Sequence, residues 1–181
     1  AKYKGPVSSF TYNLVIVTIA LPIVGGMAST LEVLTIMNLD EQIFGVWLMK
    51  FGFNSMYYLI FYEAFSSISW EYAESAFVDG ANHYTVFFQI MLPLVKSLIG
   101  AVFLLLFIGF WNDSNTPLLY LPDRPTLALG LYKFNQRTDN NLVNIPMRLT
   151  GCFIMFAPIL AIFIAFRKKF MLNVNIGGLK G

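Results

Sequence analysis

Eighteen consecutive uncharged residues run from Leu149 to Phe166, with the sequence LTGCFIMFAPILAIFIAF. Arg148 precedes them, and the basic cluster Arg167, Lys168 and Lys169 follows them. A helix rises about 1.5 Å per residue, so about 20 apolar residues cross a hydrocarbon core about 30 Å thick. The stretch from Met147 to Phe166 therefore predicts a transmembrane helix, which we name span d.

Three further apolar stretches of similar length precede it. They are span a, Phe10–Leu31; span b, Ile43–Phe65; and span c, Leu92–Trp111. Span b is interrupted by Lys50 and Asn54, whereas the one charge of span c, Lys96, lies near its end. The pattern predicts an all-α membrane protein, a polytopic helical bundle with four transmembrane helices. A cleaved signal peptide is an alternative for span a, because Lys2 and Lys4 precede it, but Pro22 and the length of the apolar run disfavour that interpretation.

The composition excludes several classes of protein. Hydrophobic residues make up 57% of the 181 residues and charged residues only 12%, against about 25% charged in soluble domains. The net charge of +2 is small and its charges are scattered, so no nucleic-acid surface is predicted. The single Cys152 and the single His83 argue against a disulfide framework, a Cys or His metal site and a His-dependent triad. No metal and no cofactor are expected.

The basic residues predict the orientation of the spans. With the N-terminus inside, four crossings place seven basic residues on the cytoplasmic side: Lys2, Lys4, Lys96, Arg167, Lys168, Lys169 and Lys180. The outer side receives four: Arg124, Lys133, Arg137 and Arg148. An excess of Lys and Arg marks the cytoplasmic side, so both termini are predicted to be cytoplasmic.

Three segments lie outside the predicted spans. Residues 35–42 form a short outer turn. Residues 112–146 form a longer outer segment whose prolines are expected to break helix, and it is a candidate contact surface. Residues 66–91 lie on the inner side although they contain no Lys or Arg, which departs from the positive-inside rule.

This inner segment is predicted to be two short helices around a turn. Ser69 can cap the first helix, and Ala73, Ala76 and Phe77 share one face. Asp79-Gly80 ends that helix, because glycine readily adopts the left-handed conformation found there. Asn82 can cap the second helix, and Pro93 is placed to open span c. From the pattern alone, an interfacial helix lying on lipid and a helix that docks on a protein are both compatible.

A family resemblance favours docking. Glu74-Ser75-Ala76, then Gly80 after three residues, then Ile90-Met91-Leu92-Pro93 after nine more, resembles the cytoplasmic EAA loop of binding-protein-dependent ABC importer permeases. Together with Asp79 and Ala81 it is similar to the carbohydrate-uptake branch typified by the maltose permease. Leu21-Pro22, Trp111-Asn112-Asp113 and the glycine-rich C-terminus support the resemblance. Ser75 departs from the motif, which has Ala there, and Ser69 from the usual Pro.

The resemblance implies a role for particular residues. It assigns ATPase coupling to Glu74, Ser75, Ala76, Asp79, Gly80 and Ala81, and a second contact to the tail residues Gly177, Lys180 and Gly181. The implied partners are a dimer of ABC ATPase subunits, a second permease subunit, an extracytoplasmic solute-binding protein and membrane lipid. The chain has no phosphate-binding loop of its own. Such permeases usually have six spans, so residues 1–181 are expected to be a partial transmembrane domain that lacks about two N-terminal helices, with residues 66–91 as its coupling loop.

Two polar residues of span b are candidates for the translocation path. Lys50 lies about 10 Å into the span at 1.5 Å per residue, and Asn54 lies one turn deeper. Snorkelling of Lys50 and interhelical hydrogen bonding of Asn54 are the structural alternatives. The same residues would be the ion pathway if the chain were a fragment of a secondary transporter or channel, and a membrane scaffold without transport activity is a third class. The spacing of the EAA loop favours the permease of a sugar or polyol importer.

Overall fold

The computed structural model describes residue 2 and residues 5–21, 25–51, 55–137 and 144–171, and for residues 55 and 168–171 it describes the backbone alone. These residues form helices, turns and short connections, and no strand occurs among them. In chain order the helices are α1 Pro6–Ala20, α2 Gly26–Ile36, α3 Ile43–Lys50, α4 Ser55–Ser67, α5 Glu71–Val78, α6 His83–Thr85, a π-helical segment Val86–Met91, α7 Leu92–Leu94, α8 Lys96–Trp111, α9 Asn115–Tyr120, α10 Leu127–Asn135 and α11 Ile145–Met171.

Span d is one continuous helix. Within α11, the helical run Ile145–Arg167 contains an 18-residue stretch whose mean hydropathy is 2.4, and among the described residues this run is the one helix that is by itself long and apolar enough to cross a membrane. Large apolar side chains along it are exposed, for example Phe153 at 74% and Phe163 at 50%. Such a helix satisfies its backbone internally and leaves an apolar surface for lipid.

Span c is bent near its predicted start. The helical run His83–Leu94 is bent by 67° from α8, and the two together are long and apolar enough to form one broken span. The break lies at Val95, whose φ of −100° and ψ of 6° end α7. Pro93 therefore lies in the single turn of α7 and does not open the span, which corrects our expectation; α8 begins at Lys96.

Spans a and b are each represented by two shorter helices. α1 ends at Ala20 because Leu21 is extended, with φ −76° and ψ 120°, a conformation favoured in the residue before a proline. α2 begins after Gly25, whose φ is +75°. In span b, α3 ends at Lys50 and α4 begins at Ser55. Pro22 and Asn54 lie outside the described residues, and four complete crossings remain a prediction.

The segment 112–146 contains more helix than its prolines suggested. α9 includes Pro117 in its first turn, where a backbone N–H has no helical partner and a proline is tolerated. Pro125 precedes α10, which begins where Thr126 Oγ1 accepts a hydrogen bond from the Leu129 N–H at 3.3 Å. The expectation that the prolines keep this segment non-helical is therefore wrong for residues 115–120 and 127–135.

The chain divides into two compact units. The first contains α1, α4 to α7 and the beginning of α8. In it, α1 packs against α4, with the rings of Tyr12 and Tyr62 4.6 Å apart. The second unit contains α2, α3, the rest of α8, α9, α10 and most of α11. There the Trp111 indole donates to Met155 O at 3.0 Å and the Tyr120 hydroxyl to Met27 O at 3.0 Å.

Candidate coupling loop

The segment between α4 and α8 begins with a short helix whose charges suit its ends. Ser69 Oγ accepts a hydrogen bond from the Glu71 N–H at 3.3 Å, next to the first turn of α5. Glu71 and Glu74 are both in that turn, where the positive end of the helix dipole stabilises carboxylates. The capping role expected of Ser69 is thus present, although the N-cap position itself belongs to Trp70.

A Schellman turn ends α5. The Gly80 N–H donates to Phe77 O at 3.1 Å and the Ala81 N–H to Ala76 O at 2.9 Å, the two bonds that define this motif. Gly80 has a φ of +83°, a conformation that costs other L-residues about 1–2 kcal/mol. The sequence Asp79-Gly80 therefore ends the helix as predicted.

The second half of the segment starts at Asn82. Its Oδ1 accepts hydrogen bonds from the Thr85 N–H at 2.8 Å and from Thr85 Oγ1 at 3.0 Å. α6 follows and passes into the π-helical segment Val86–Met91. A π-helix of this kind is rare, and the sequence pattern predicted an ordinary helix here.

Some of the small residues of α5 are buried, and others are exposed. Ala73 is fully buried and Ala76 is 8% exposed, in a core cluster with Val86 and Met91. The resemblance assigns Ala76 to ATPase coupling, but the face of α5 that carries these two alanines packs against the second half of the same segment. Their small size allows this close approach.

The other predicted residues lie at the surface. Glu74, Ser75, Asp79 and Gly80 are exposed, and Ala81 is half-buried. The structure therefore leaves exposed two carboxylates, a hydroxyl and a glycine backbone, which form a patch along α5 and its C-terminal turn.

The same segment also exposes large apolar side chains, which were not among the predicted site residues. Val78 is 86% exposed, Tyr84 77% and Tyr72 54%. Val78 lies two positions from the buried Ala76, which places it on the opposite side of a helix. The spacing of Val78 from Ala76 was therefore the feature of the sequence that could have indicated that Val78 is exposed.

The structure describes one of the two residues that were predicted to line the translocation path. Asn54 lies outside the described residues. Lys50 is half-buried and forms an ion pair with Asp113, with Lys50 Nζ and Asp113 Oδ2 2.6 Å apart. Burial raises the pKa of the Asp113 carboxyl, but hydrogen bonds from Lys50 and Thr116 outweigh it and hold this pKa below its usual value. The tail residues Gly177, Lys180 and Gly181 also lie outside the described residues.

The part of the chain that the structure describes contains no group of three or more His, Cys, Asp or Glu side chains that could hold a metal ion.

Residues 1–170 match the family described as the inner membrane component of binding-protein-dependent transport systems. The chain belongs to this family. It is a family of transporter subunits and not a class of enzymes.

Relatives of this permease have names that refer to sugar transport. The chain is 34% identical to the arabinooligosaccharides transport system permease protein AraQ of Bacillus subtilis (strain 168), over 60% of this chain and 38% of that protein. It is 32% identical to the maltodextrin transport system permease protein MdxG of the same strain, over 65% of this chain and 42% of that protein. The predicted resemblance to permeases of the carbohydrate-uptake branch is confirmed.

A third relative aligns with more of the permease chain. Protein LplC of Bacillus subtilis (strain 168) is 30% identical over 93% of this chain and 61% of its own length. The chain thus spans about two fifths of AraQ and MdxG and about three fifths of LplC.

Proposed function

We propose that this chain forms part of the permease subunit of an ATP-driven ABC importer, and that a separate ATPase acts on it through α5. The observation that carries the proposal is the exposed patch of Glu74, Ser75, Asp79 and Gly80 along α5 and its C-terminal turn. The Schellman turn and the buried alanines give this patch a defined geometry. An exposed, well-ordered helix end is suited to insertion into a groove on another protein.

The contacts with the ATPase follow from the side chains at the patch. Glu74 pairs with a basic residue of the ATPase, and Val78 enters an apolar part of its cleft, because a protruding apolar side chain is a typical anchor of an interface. Ala76 acts indirectly, by allowing α5 to pack closely on the second half of the loop. The tail residues Gly177, Lys180 and Gly181 form a second contact with the ATPase pair.

The substrate of the importer is a sugar or a related polyol. The names of AraQ and MdxG, which refer to arabinooligosaccharides and maltodextrin, support this class. Asn54 and Lys50 are the candidate residues of the translocation path. A second permease subunit completes that path.

The protein lies in the cytoplasmic membrane of a bacterium and crosses it four times within this chain, with both termini and residues 66–91 in the cytoplasm. Contacts within each unit support this arrangement. Lys2, on the predicted inner side, bonds to Ser66 at the start of the loop. Arg148, on the predicted outer side, donates to Asn135 O at 2.9 Å. Residues 112–146, with α9 and α10, receive the extracytoplasmic solute-binding protein.

Replacing Glu74 with Lys in the complete importer tests the coupling role. The exposed Glu71, one turn earlier on the same helix, gives a matched control with the same change of charge. A like-charge contact costs several kcal/mol at an interface, so Glu74→Lys is expected to abolish uptake of labelled oligosaccharide and to release ATPase subunits from washed membranes. Glu71→Lys is expected to retain both.

Two results would contradict the proposal. Normal uptake by Glu74→Lys would make the loop a lipid-facing connector. Uptake that survives ATP depletion while an ion gradient is maintained would indicate a secondary transporter or channel.

A further inference from the structure

The side chain of Lys2 lies against the C-terminal end of α4, where the candidate coupling loop begins. Its Nζ donates a hydrogen bond to Ser66 O at 2.8 Å and another to Ile68 O. α4 ends at Ser67, so the Ser66 carbonyl lies in the last turn of a helix, where C=O groups lack helical partners, and the Ile68 carbonyl lies one residue beyond that helix. An ammonium group there also interacts favourably with the negative end of the helix dipole.

A cavity of about 330 Å³ lies beside this contact. Lys2 lines it together with aromatic residues of α4, including Tyr58 and Phe65, and with His83 and Phe87 of the loop. The lining of this cavity is mostly apolar, and the hydrogen bonds of Lys2 are polar contacts at its edge.

Lys2 is linked to α5 through residues that pack between them. Ile68, whose carbonyl Lys2 binds, and Trp70 both pack against the core cluster that contains Ala73 and Ala76. The two alanines belong to α5, the helix with the exposed patch. A displacement of residues 66–70 would therefore displace the patch.

We propose that Lys2 is a positioning residue for the coupling loop. By binding the carbonyls at the end of α4, it holds the start of the loop in place, so that movement of α5 is transmitted to α4 and is not absorbed by the connection. This inference rests on the proposed function of the loop. It gives Lys2, which precedes α1, a part in energy coupling that requires no contact between Lys2 and ATP or sugar.

The test uses the complete importer, reconstituted with its ATPase subunits and solute-binding protein. Lys2→Met removes the donors, and Lys2→Arg keeps them. Lys96→Met is the control, because Lys96 is an exposed lysine on the predicted same side of the membrane. The measurements are the amount of permease in the membrane and the number of ATP molecules hydrolysed per sugar imported.

Lys2→Met is expected to accumulate normally but to raise the ATP cost per sugar by about fivefold or more, the lower end of typical couplings between linked sites. Lys2→Arg and Lys96→Met are expected to retain the wild-type ratio. If Lys2→Met fails to accumulate, Lys2→Gln decides by the same ratio, because it removes the charge and is one bond shorter, so that it cannot make both hydrogen bonds of Lys2 at once.

A wild-type ratio in Lys2→Met, or in Lys2→Gln when that variant is needed, would overturn the proposal. An equal increase in Lys96→Met would also overturn it, because the effect would then belong to charge alone. Failure of the proposed function would differ from both results, since the unaltered complex would import no sugar with ATP.

Discussion

The ammonium of Lys50 lies 2.6 Å from Oδ2 of Asp113, in an ion pair that joins the end of α3 to the turn after α8. The same carboxylate accepts hydrogen bonds from the Thr116 N–H at 3.0 Å and from Thr116 Oγ1 at 2.5 Å. The ammonium also lies 5.1 Å from the ring centroid of Phe110. A lysine in the middle of a membrane span costs about 2.5–3.5 kcal/mol. These partners supply a structural reason for a charge in span b.

Breaking the ion pair should destabilise the permease. Lys50→Met and Asp113→Asn are each expected to cost about 1.5–3 kcal/mol, the usual range for hydrogen bonds to charged groups. The double variant should cost less than the sum of the two single variants, because one interaction is lost twice in that sum. Unfolding of the complete permease in detergent measures the three values. Lys133→Met, at an exposed lysine of α10, is the control, and strict additivity would show that the pair contributes nothing.

The stability should depend on pH through Asp113. Its pKa is lowered in the folded protein, so the folded state favours the charged form more than the unfolded state does. This contribution is fully present above the unfolded pKa of about 3.9 and is lost as the pH falls through the lower folded value. Between about pH 5 and pH 7 the difference in melting temperature between wild type and Asp113→Asn should be constant, and below about pH 5 it should shrink. A difference that widens in acid would reverse the assigned sign.

The conformation of Gly80 predicts a sharp contrast between two glycines. A Cβ built at Gly80 or at Gly109 of α8 would meet open space, with no atom within 4 Å apart from the neighbouring backbone. Gly80, however, has a φ of +83°. Gly80→Ala is therefore expected to destabilise the loop by about 1–2 kcal/mol through backbone strain alone, and to lower uptake. Gly80→Asn should be milder, since Asn adopts this conformation more readily. Gly109→Ala should keep normal uptake, and an equal loss in both alanine variants would exclude strain as the cause.

The hydrogen bond from Trp111 supports a helix that contains a proline. Pro158 lies inside α11, where its ring and its missing N–H disturb the carbonyls about one turn earlier. The carbonyl that loses its helical partner is that of Ile154, four residues before Pro158, and Trp111 Nε1 donates to the next carbonyl, Met155 O, at 3.0 Å. Trp111→Phe keeps an aromatic ring beside Phe107 but removes the donor, and we expect a loss of about 0.5–1.5 kcal/mol, the net contribution of one hydrogen bond.

Thermal unfolding of the complete permease measures this loss. Trp47→Phe is the matched control, because Trp47 is 68% exposed, and it should leave the unfolding temperature unchanged. Equal effects of the two substitutions would mean that the indole bond adds nothing.

The predicted orientation can be tested with two single cysteines in a Cys152→Ser background. Tyr84→Cys reports on the loop and Gln136→Cys on the outer segment, and both positions are exposed. An impermeant thiol reagent added outside intact cells should label the Gln136→Cys protein, whereas the Tyr84→Cys protein should react only after the membrane is permeabilised. The opposite pattern would invert the topology.

Much of the local structure was predictable because it depends on residues close together in the sequence. The apolar stretch 149–166 forms one helix, Gly80 adopts a positive φ at the end of α5, and Asn82 caps the helix after it. Each of these features needs only the backbone preferences and hydrogen-bonding capacity of a few neighbouring residues. The EAA spacing was equally sufficient to indicate the family.

Features that depend on distant residues required the structure. The spacing of Ala73 and Ala76 showed that they share a face, but not that this face packs against Val86 and Met91. The sequence left open whether Lys50 snorkels or lines a path, since its partner Asp113 lies 63 positions away.

From the sequence alone came the apolar, helical character of this permease, its EAA-like spacing and its family, because composition and short spacings carry those signals. Only the tertiary structure decided which side of α5 is free, where span c bends, and which groups satisfy Lys2, Lys50 and Met155 O. The physical reason is that burial and pairing of a polar group depend on how the helices pack, and residues far apart in the chain determine that packing.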